Sequence, residues 1–431
     1  MKTNRRNFLT TTAVAGSAAV LLPWSSCSSG KSSDRSYPDY SALDKALEQP
    51  VLKRESFSSP VIIEKLELLR DRDNFICRVR SKDGAEGISV GHPFISRLGY
   101  PLFNNILPRF VGKDARNLDE LIFDSAERSI KRQGNPLCTQ IATIEFAVLD
   151  MLGNIAEKPV GQLIGEIHNP EIAIYLGTRI GALRREEPEV SLELVKQDWL
   201  KTRAKAIKLR AGRGDNLGMD NENAPVRTEK LIRMAREKFG DEMVLMIDGN
   251  GSYSLKEAIR IGKILEEYNY YFYEEPVPWD WYEEQKRLAD ALDIKMAGGE
   301  EEFGMHAFRW LIANHAFEIL QPDLFYFGGM IRSMKVARMA ETKGITIAPH
   351  MSGGGLGYLY MLHMVSVCPN ADKFHEFKMF GTEDANGTVI PVKSKTEPFT
   401  SVEGVVKAPT GPGLGIHIDP DYIKTHEVIY G

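Results

Sequence analysis

Between residues 171 and 376 eight short apolar runs follow one another, with amphipathic stretches between most of them. The runs are Ile172–Leu176, Ala206–Leu209, Val244–Ile247, Tyr271–Tyr273, Ile294–Ala297, Ile319–Gln321, Ile345–Ala348 and Lys373–His375. Helical spacing of apolar residues marks Arg227–Lys238, Ser254–Glu267, Trp281–Leu292 and Arg332–Lys343. Eight strands alternating with helices is the rhythm of a (β/α)8 barrel. A doubly wound open sheet would want a glycine-rich turn after its first strand, and Tyr175-Leu176-Gly177-Thr178-Arg179 is not one.

A barrel of this kind carries its active site at the carboxyl ends of its strands. From the second strand on, those ends hold Lys208-Leu209-Arg210, Asp248-Gly249-Asn250, Glu274-Glu275-Pro276, Gly299-Glu300, Pro322-Asp323, Pro349-His350 and His375-Glu376. Asp248, Glu274, Glu300, Asp323, His350 and Glu376 are separated by 26, 26, 23, 27 and 26 residues, about one strand-plus-helix unit each. One acid at a strand end is usually just solvated. Three on consecutive strands, Asp248, Glu274 and Glu300, converge on one place, and three like charges stay together only around a cation. Oxygen ligands with open positions suit a hard divalent ion. Mg²⁺ fits best, with Mn²⁺ as the alternative. Of Glu274 and Glu275, alternation of side chains along a strand favours Glu274 as the inward ligand. Asp323 and His350 end neighbouring strands, where an Asp fixes the imidazole tautomer and supports its charged form. His350 is therefore the candidate general base or acid. Glu376 closes the ring from the far side, where a protonated carboxyl would donate to a developing oxyanion.

The rest of the chain frames this unit. Residues 1–30 join a charged start (Lys2, Arg5, Arg6) to an apolar run, Ala13 to Leu22, that is too short to span a membrane. Arg5-Arg6 followed by Asn7-Phe8-Leu9 resembles a twin-arginine export signal, with a general secretory signal as the alternative. The expected location is the periplasm. Cys27 has two readings: a lipidated amino-terminal cysteine anchoring the protein to the membrane, or part of the removed peptide. No other stretch is apolar for about 18 residues, so no transmembrane span is expected. Residues 31–59, rich in Ser, Pro and charge, read as a linker or extension. Residues 60–170 read as a small α+β domain: three antiparallel strands around Val61–Leu69, Phe75–Arg80 and Gly87–Val90, then helices near 117–132 and 138–156. The barrel occupies 171–390. The segment 391–431 opens Gly/Pro-rich and is expected to return to the small domain. The four cysteines show no CxxC pair and no metal spacing. With 54 Lys+Arg against 59 Asp+Glu, net charge −5, no basic surface for nucleic acid is expected.

These motifs together resemble the enolase superfamily, mandelate racemase subgroup, over about residues 60–420. The pieces that carry the resemblance are Lys208-Leu209-Arg210, Asp248-Gly249-Asn250, Tyr273-Glu274-Glu275-Pro276, Gly299-Glu300, Gln321-Pro322-Asp323, Pro349-His350 and His375-Glu376. The resemblance implies an α/β fold, a (β/α)8-type barrel with an N-terminal α+β capping domain. It also implies a Mg²⁺ held by Asp248, Glu274 and Glu300 that binds a substrate carboxylate, a base that removes the α-proton, and a metal-stabilised enediolate. His350 with Asp323 would be the base dyad and Glu376 the electrophilic partner.

One departure narrows the reading. Many members of the superfamily carry Lys-x-Lys at the second strand end, and this chain has Arg210 in the second position. Arginine stays protonated, so it makes a poor base and a good electrostatic clamp. A racemase needs proton transfer on both faces of the substrate, whereas a dehydratase needs a base on one. The expectation is therefore a Mg²⁺-dependent acid-sugar dehydratase. An epimerase or cycloisomerase is the enzymatic alternative, with Lys208 as a second base if it leans inward. A non-catalytic carbohydrate-binding lipoprotein is the alternative of another class. Asn250, Arg179 and His92 are the candidate substrate contacts. The expected partners are a small-molecule sugar acid and further copies of the chain.

Overall fold

The computed structural model describes residues 38–177, 187–212, 224–352, 355–378, 387–394 and 400–431, and residues 39–431 form one compact unit. The expected export signal, Cys27 and Arg179 lie outside the described residues. Among those residues, no helix is long and apolar enough to cross a membrane.

The small domain begins with three strands: β1 (Ile63–Asp71), β2 (Asn74–Ser81) and β3 (Glu86–Val90). They pair antiparallel, and the helix Asn135–Ala156 packs on the sheet. The barrel follows as β4 (Glu171–Gly177), β5 (Ala206–Arg210), β6 (Val244–Asp248), β7 (Phe272–Glu274), β8 (Lys295–Gly298), β9 (Ile319–Leu320), β10 (Thr346–Ile347) and β11 (His375–Phe377). Neighbours from β4 to β10 are parallel, and β11 pairs with β4. The ring closes where Ile347 bridges Ala371, just ahead of β11. The eighth strand thus starts at His375, two residues later than its apolar run suggests, because the bridge holds residues 370–372 first. The tail adds β12 (Val392–Ser394), β13 (Val405–Lys407), β14 (Ile416–Ile418) and β15 (Glu427–Tyr430). β13 pairs with β4, and β15 extends the cap sheet along β1. The fourth cap strand therefore comes from the far end of the chain.

The segment expected as a linker is corrected in its second half. Ser41–Glu48 is a helix lying against the barrel helix Met330–Glu341. Its amphipathic signal is short, and barrel side chains hold it. Arg309 pairs with Asp44 at 2.6 Å, and its guanidinium lies over the Tyr40 ring. Lys335 and Arg338 donate to the carbonyls of Leu47 in its last turn and of Gln49 and Pro50 just after it.

Two buried acids of the helix Asn135–Ala156 stitch cap to barrel and tail. Glu145 accepts the N–H of Ile331 in the first turn of the helix Met330–Glu341. Asp150 accepts N–H groups from Ile88 of β3 and from Leu414 of the tail. Cys77, Cys138 and Cys368 are free and buried, core thiols rather than disulfide partners.

Candidate active site

Strand alternation builds the site. One inward layer of the barrel is filled by Tyr175, Ala206, Met246, Phe272, Ala297, Ile319 and Ala348, with Phe374 packed against it. Large and small residues together fill the barrel bore. Side chains on a strand repeat with period two. The positions two residues further along are Gly177, Lys208, Asp248, Glu274, Gly299, Gln321, His350 and Glu376. The chemistry-bearing residues thus form one layer directly above an apolar plug. A further two residues on come Arg210, Asn250, Asp323 and Lys378, nearer the mouth. Only β8 breaks phase. Gly299 has φ 100°, and a Cβ there would meet the Phe308 ring at 2.8 Å. The turn it permits brings Glu300, rather than residue 299, into the site.

Asp248, Glu274 and Glu300 each place a carboxylate oxygen within 4.8 Å of the others, and all three are buried. Asn250 holds a left-handed backbone (φ 44°), tolerable for Asn. Its amide donates to Glu300 at 3.0 Å and Asp248 at 3.4 Å, so it ties two of the acids together. Arg210 forms an ion pair with Asp248. Lys208 donates to both oxygens of Glu274, at 2.6 and 2.8 Å, and lies 3.6 Å from Glu376. Gln321 adds a third bond to Glu274 at 2.7 Å. Burial alone would raise Glu274, but Lys208 and Arg210 outweigh it and hold the carboxyl below its ordinary value. Burial alone would lower Lys208, and Glu274 with Glu376 reverse that. The donor set of three buried, converging carboxylates fits a hard divalent cation.

Glu275, out of phase with Glu274, turns into the wall. It accepts the N–H groups of Gly299 and Glu300 and so fixes the end of β8. Burial first, then Glu300 and its other acidic neighbours, push its carboxyl well up.

On the other side of the mouth His350 Nδ1 lies 2.9 Å from Asp323. Asp323 also accepts N–H groups from Phe325, Tyr326 and Ser352, which leave it one orientation. Nε2 points at the triad, 3.3 Å from Glu300. Burial alone would lower His350. The carboxylates of Glu300, Glu376 and Asp323 outweigh burial and Lys378, so its pKa is raised above the ordinary value.

Glu376 differs from the protonated donor expected of it. Burial would favour the neutral acid, but Lys208, Lys378 and His350 surround it and hold it ionised. It accepts the N–H of Met351 and pairs with Lys378 at 3.2 Å.

His92 comes from the cap and is buried. Its ring packs on Phe325 and Tyr326 behind Asp323, and its Nδ1 accepts the N–H of Phe94. Burial drops its pKa to about 4, so it is neutral. Its contacts make it a brace for the Asp323 loop. Two residues of the site were not singled out from sequence, Gln321 and Lys378. Strand phase marks both, since each continues the inward face of its strand.

A family model described as enolase C-terminal domain-like matches residues 191–422, more than half of the chain. The fold is also shared with solved structures. A candidate racemase from Roseobacter denitrificans is 27% identical, with a TM-score of 0.76 over 85% of this chain and 98% of its own. A mandelate racemase/muconate lactonizing protein from Paracoccus denitrificans PD1222, solved with magnesium, is 24% identical (TM-score 0.75, 86% and 99% covered). The 3,6-anhydro-D-galactonate cycloisomerase from Zobellia galactanivorans is 26% identical (TM-score 0.70, 85% and 99%).

Proposed function

We propose that this chain, which belongs to the enolase C-terminal domain-like family, is an acid-sugar dehydratase. It takes the proton α to a sugar-acid carboxylate and expels the β-hydroxyl as water. The observation that carries the reading is the one-sidedness of the site. A His–Asp dyad, His350 with Asp323, stands at β10 and β9, while the β5 side presents Arg210, a permanent cation.

Mg²⁺ held by Asp248, Glu274 and Glu300, or Mn²⁺ in its place, would supply the positive charge that makes the α-proton acidic. The chain's own groups do the rest. Asp323 accepts from Nδ1 and leaves Nε2 free to take the proton. The imidazolium so formed is stabilised by Asp323 and by the ionised Glu376. Arg210 clamps the opposite face electrostatically without exchanging a proton. Lys208 leans inward in the same layer as the triad, but it is engaged by Glu274 and Glu376, so it offers no second base. That argues against epimerisation.

One isomerisation remains compatible. A 3,6-anhydro acid, the substrate class in the name of one 26% identical neighbour, carries a ring ether oxygen on its β-carbon. The same elimination opens that ring without losing water. The Arg5-Arg6 pattern supports action after export to the periplasm.

The test is a panel of aldonates, uronates and anhydro-aldonates, each incubated with chelator-stripped protein and with added Mg²⁺. A 2-keto-3-deoxy acid formed only with metal is the expected result. A panel-wide failure to form any keto acid, with Mg²⁺ bound, contradicts the reading.

A further inference from the structure

We propose that Lys378 is the general acid that protonates the departing β-oxygen, and that His350 serves only as the base toward Cα. The inference rests on the elimination reading above and assigns a separate group to its second half.

Lys378 lies two residues past Glu376 on the inward face, and its side chain is 9% exposed. Its ammonium carries three N–H donors. One reaches the Met351 carbonyl at 2.6 Å and one lies 3.2 Å from Glu376. The third faces His350 Nε2 at 3.5 Å, the nitrogen that must receive the α-proton. Two bonds hold the ammonium, and the third donor shares the space in front of the base. When a substrate Cα–H occupies that lone pair, the third donor is released onto whatever oxygen the neighbouring carbon presents. Base and acid then approach from one face, which prescribes syn elimination.

The fold makes room for this side chain. A Cβ at Gly177 in β4 would sit 2.8 Å from Glu376 Oε1 and 3.1 Å from Lys378 Cγ. The adjacent strand ends on glycine where these two side chains need its volume. Burial lowers the Lys378 pKa; Glu376 opposes and Arg210 and Lys208 assist. The result is a readier acid than a surface lysine.

The step balances. Nε2 takes the α-hydrogen as a proton, and the C–H electron pair is first held in the enediolate of the substrate carboxylate; in a second step that pair forms the Cα–Cβ double bond as the Cβ–O bond breaks. Lys378 gives the departing hydroxyl its proton, so water leaves. The enol passes its hydroxyl proton to the neutral amine. It receives a proton at Cβ from the imidazolium, and both groups are restored with the 2-keto-3-deoxy acid.

The experiment uses the panel acid that wild type converts fastest, together with its 3-deoxy-3-fluoro analogue, whose fluoride leaves without a proton. In Lys378→Met, hydroxyl elimination should fall at least ~100-fold, while α-proton exchange in D₂O and fluoride release stay within a few-fold of wild type. Mn²⁺ binding and melting temperature report that the fold is intact. Lys378→Arg keeps the charge but is a much weaker acid, so it should restore KM and not kcat. If exchange and fluoride release fall in step with hydroxyl loss, Lys378 acts through His350 and the proposal is wrong. Unchanged hydroxyl elimination overturns it equally. Wild type that shows neither exchange nor fluoride release defeats the elimination reading itself, and this proposal with it, before any variant is compared.

Discussion

Two groups of buried carboxylates sit in this molecule, and their electrostatics are opposite. At the barrel mouth Glu274, Asp323 and Glu376 are held ionised, because Lys208, Arg210, Lys378 and His350 outweigh burial. At the seam between cap, barrel and tail, Glu145 and Asp150 accept only backbone N–H groups. Burial pushes Glu145 well up and Asp150 to about 7. Burial by itself therefore does not mark a catalytic acid. What marks one is the set of cations the fold has gathered around it at matching depth. The mouth acids are wired for charge transfer and the seam acids for docking.

That contrast breaks first at the mouth. His350→Asn removes the base and leaves the triad, so kcat should fall ~10²–10⁴-fold with Mn²⁺ affinity nearly unchanged. A parallel loss of metal would mean that His350 belongs to the ligand set. Arg210→Lys replaces a fixed cation by one that can release its proton. Dehydration should drop about tenfold or more, and α-deuteration with inversion should appear in recovered substrate. Inversion already present in wild type would sink the single-base account.

The seam responds in stability instead. Glu145→Leu leaves the Ile331 N–H buried without its acceptor, at about 1–3 kcal/mol, read as a lower denaturation midpoint. Glu145→Gln, which still accepts, should lose much less, and neither should alter kcat by more than about twofold, since Glu145 lies outside the mouth. A kcat loss as large as that of His350→Asn would dissolve the distinction between the two groups.

The last effect is a pH dependence at Asp150. An acid whose folded pKa is raised favours the folded state fully below its ordinary value near 4. That contribution is lost as pH rises through about 7. Asp150→Asn lacks the titration, so the gap in melting temperature between wild type and variant should narrow between pH 4 and pH 7.5. A gap that is flat with pH would show that the two N–H bonds hold Asp150 ionised.

Legibility followed the same divide. The mouth acids announce themselves because each ends a strand and the strand-plus-helix unit has near-constant length. Spacing thus brings Asp248, Glu274, His350 and Glu376 to one height, while Asp323 lies one inward step nearer the mouth and Glu300 enters through the turn at Gly299. Glu145 and Asp150 read as nothing more than polar breaks in the face of a long helix, since their partners, Ile331 and Leu414, lie far away in sequence. The helix Ser41–Glu48 was hidden for a related reason: its hold comes from Arg309, Lys335 and Arg338 of the barrel. Lys378 is marked by strand phase, two residues past Glu376 on the inward face, and not by the spacing of the strand-end acids. The charge state of Glu376 was out of reach, as it depends on two lysines converging from β5 and from the end of β11.

The account turns on a proton leaving Cα to His350. The direct measurement is ¹H NMR of the α-position of the best panel acid in D₂O with Mg²⁺, for wild type and His350→Asn. The account predicts loss of the α-proton signal with wild type, stereospecific deuterium at C3 of the keto acid, and no change with His350→Asn although the variant still binds metal. Exchange that persists in His350→Asn, or keto acid formed by His350→Asn as fast as by wild type, would contradict it.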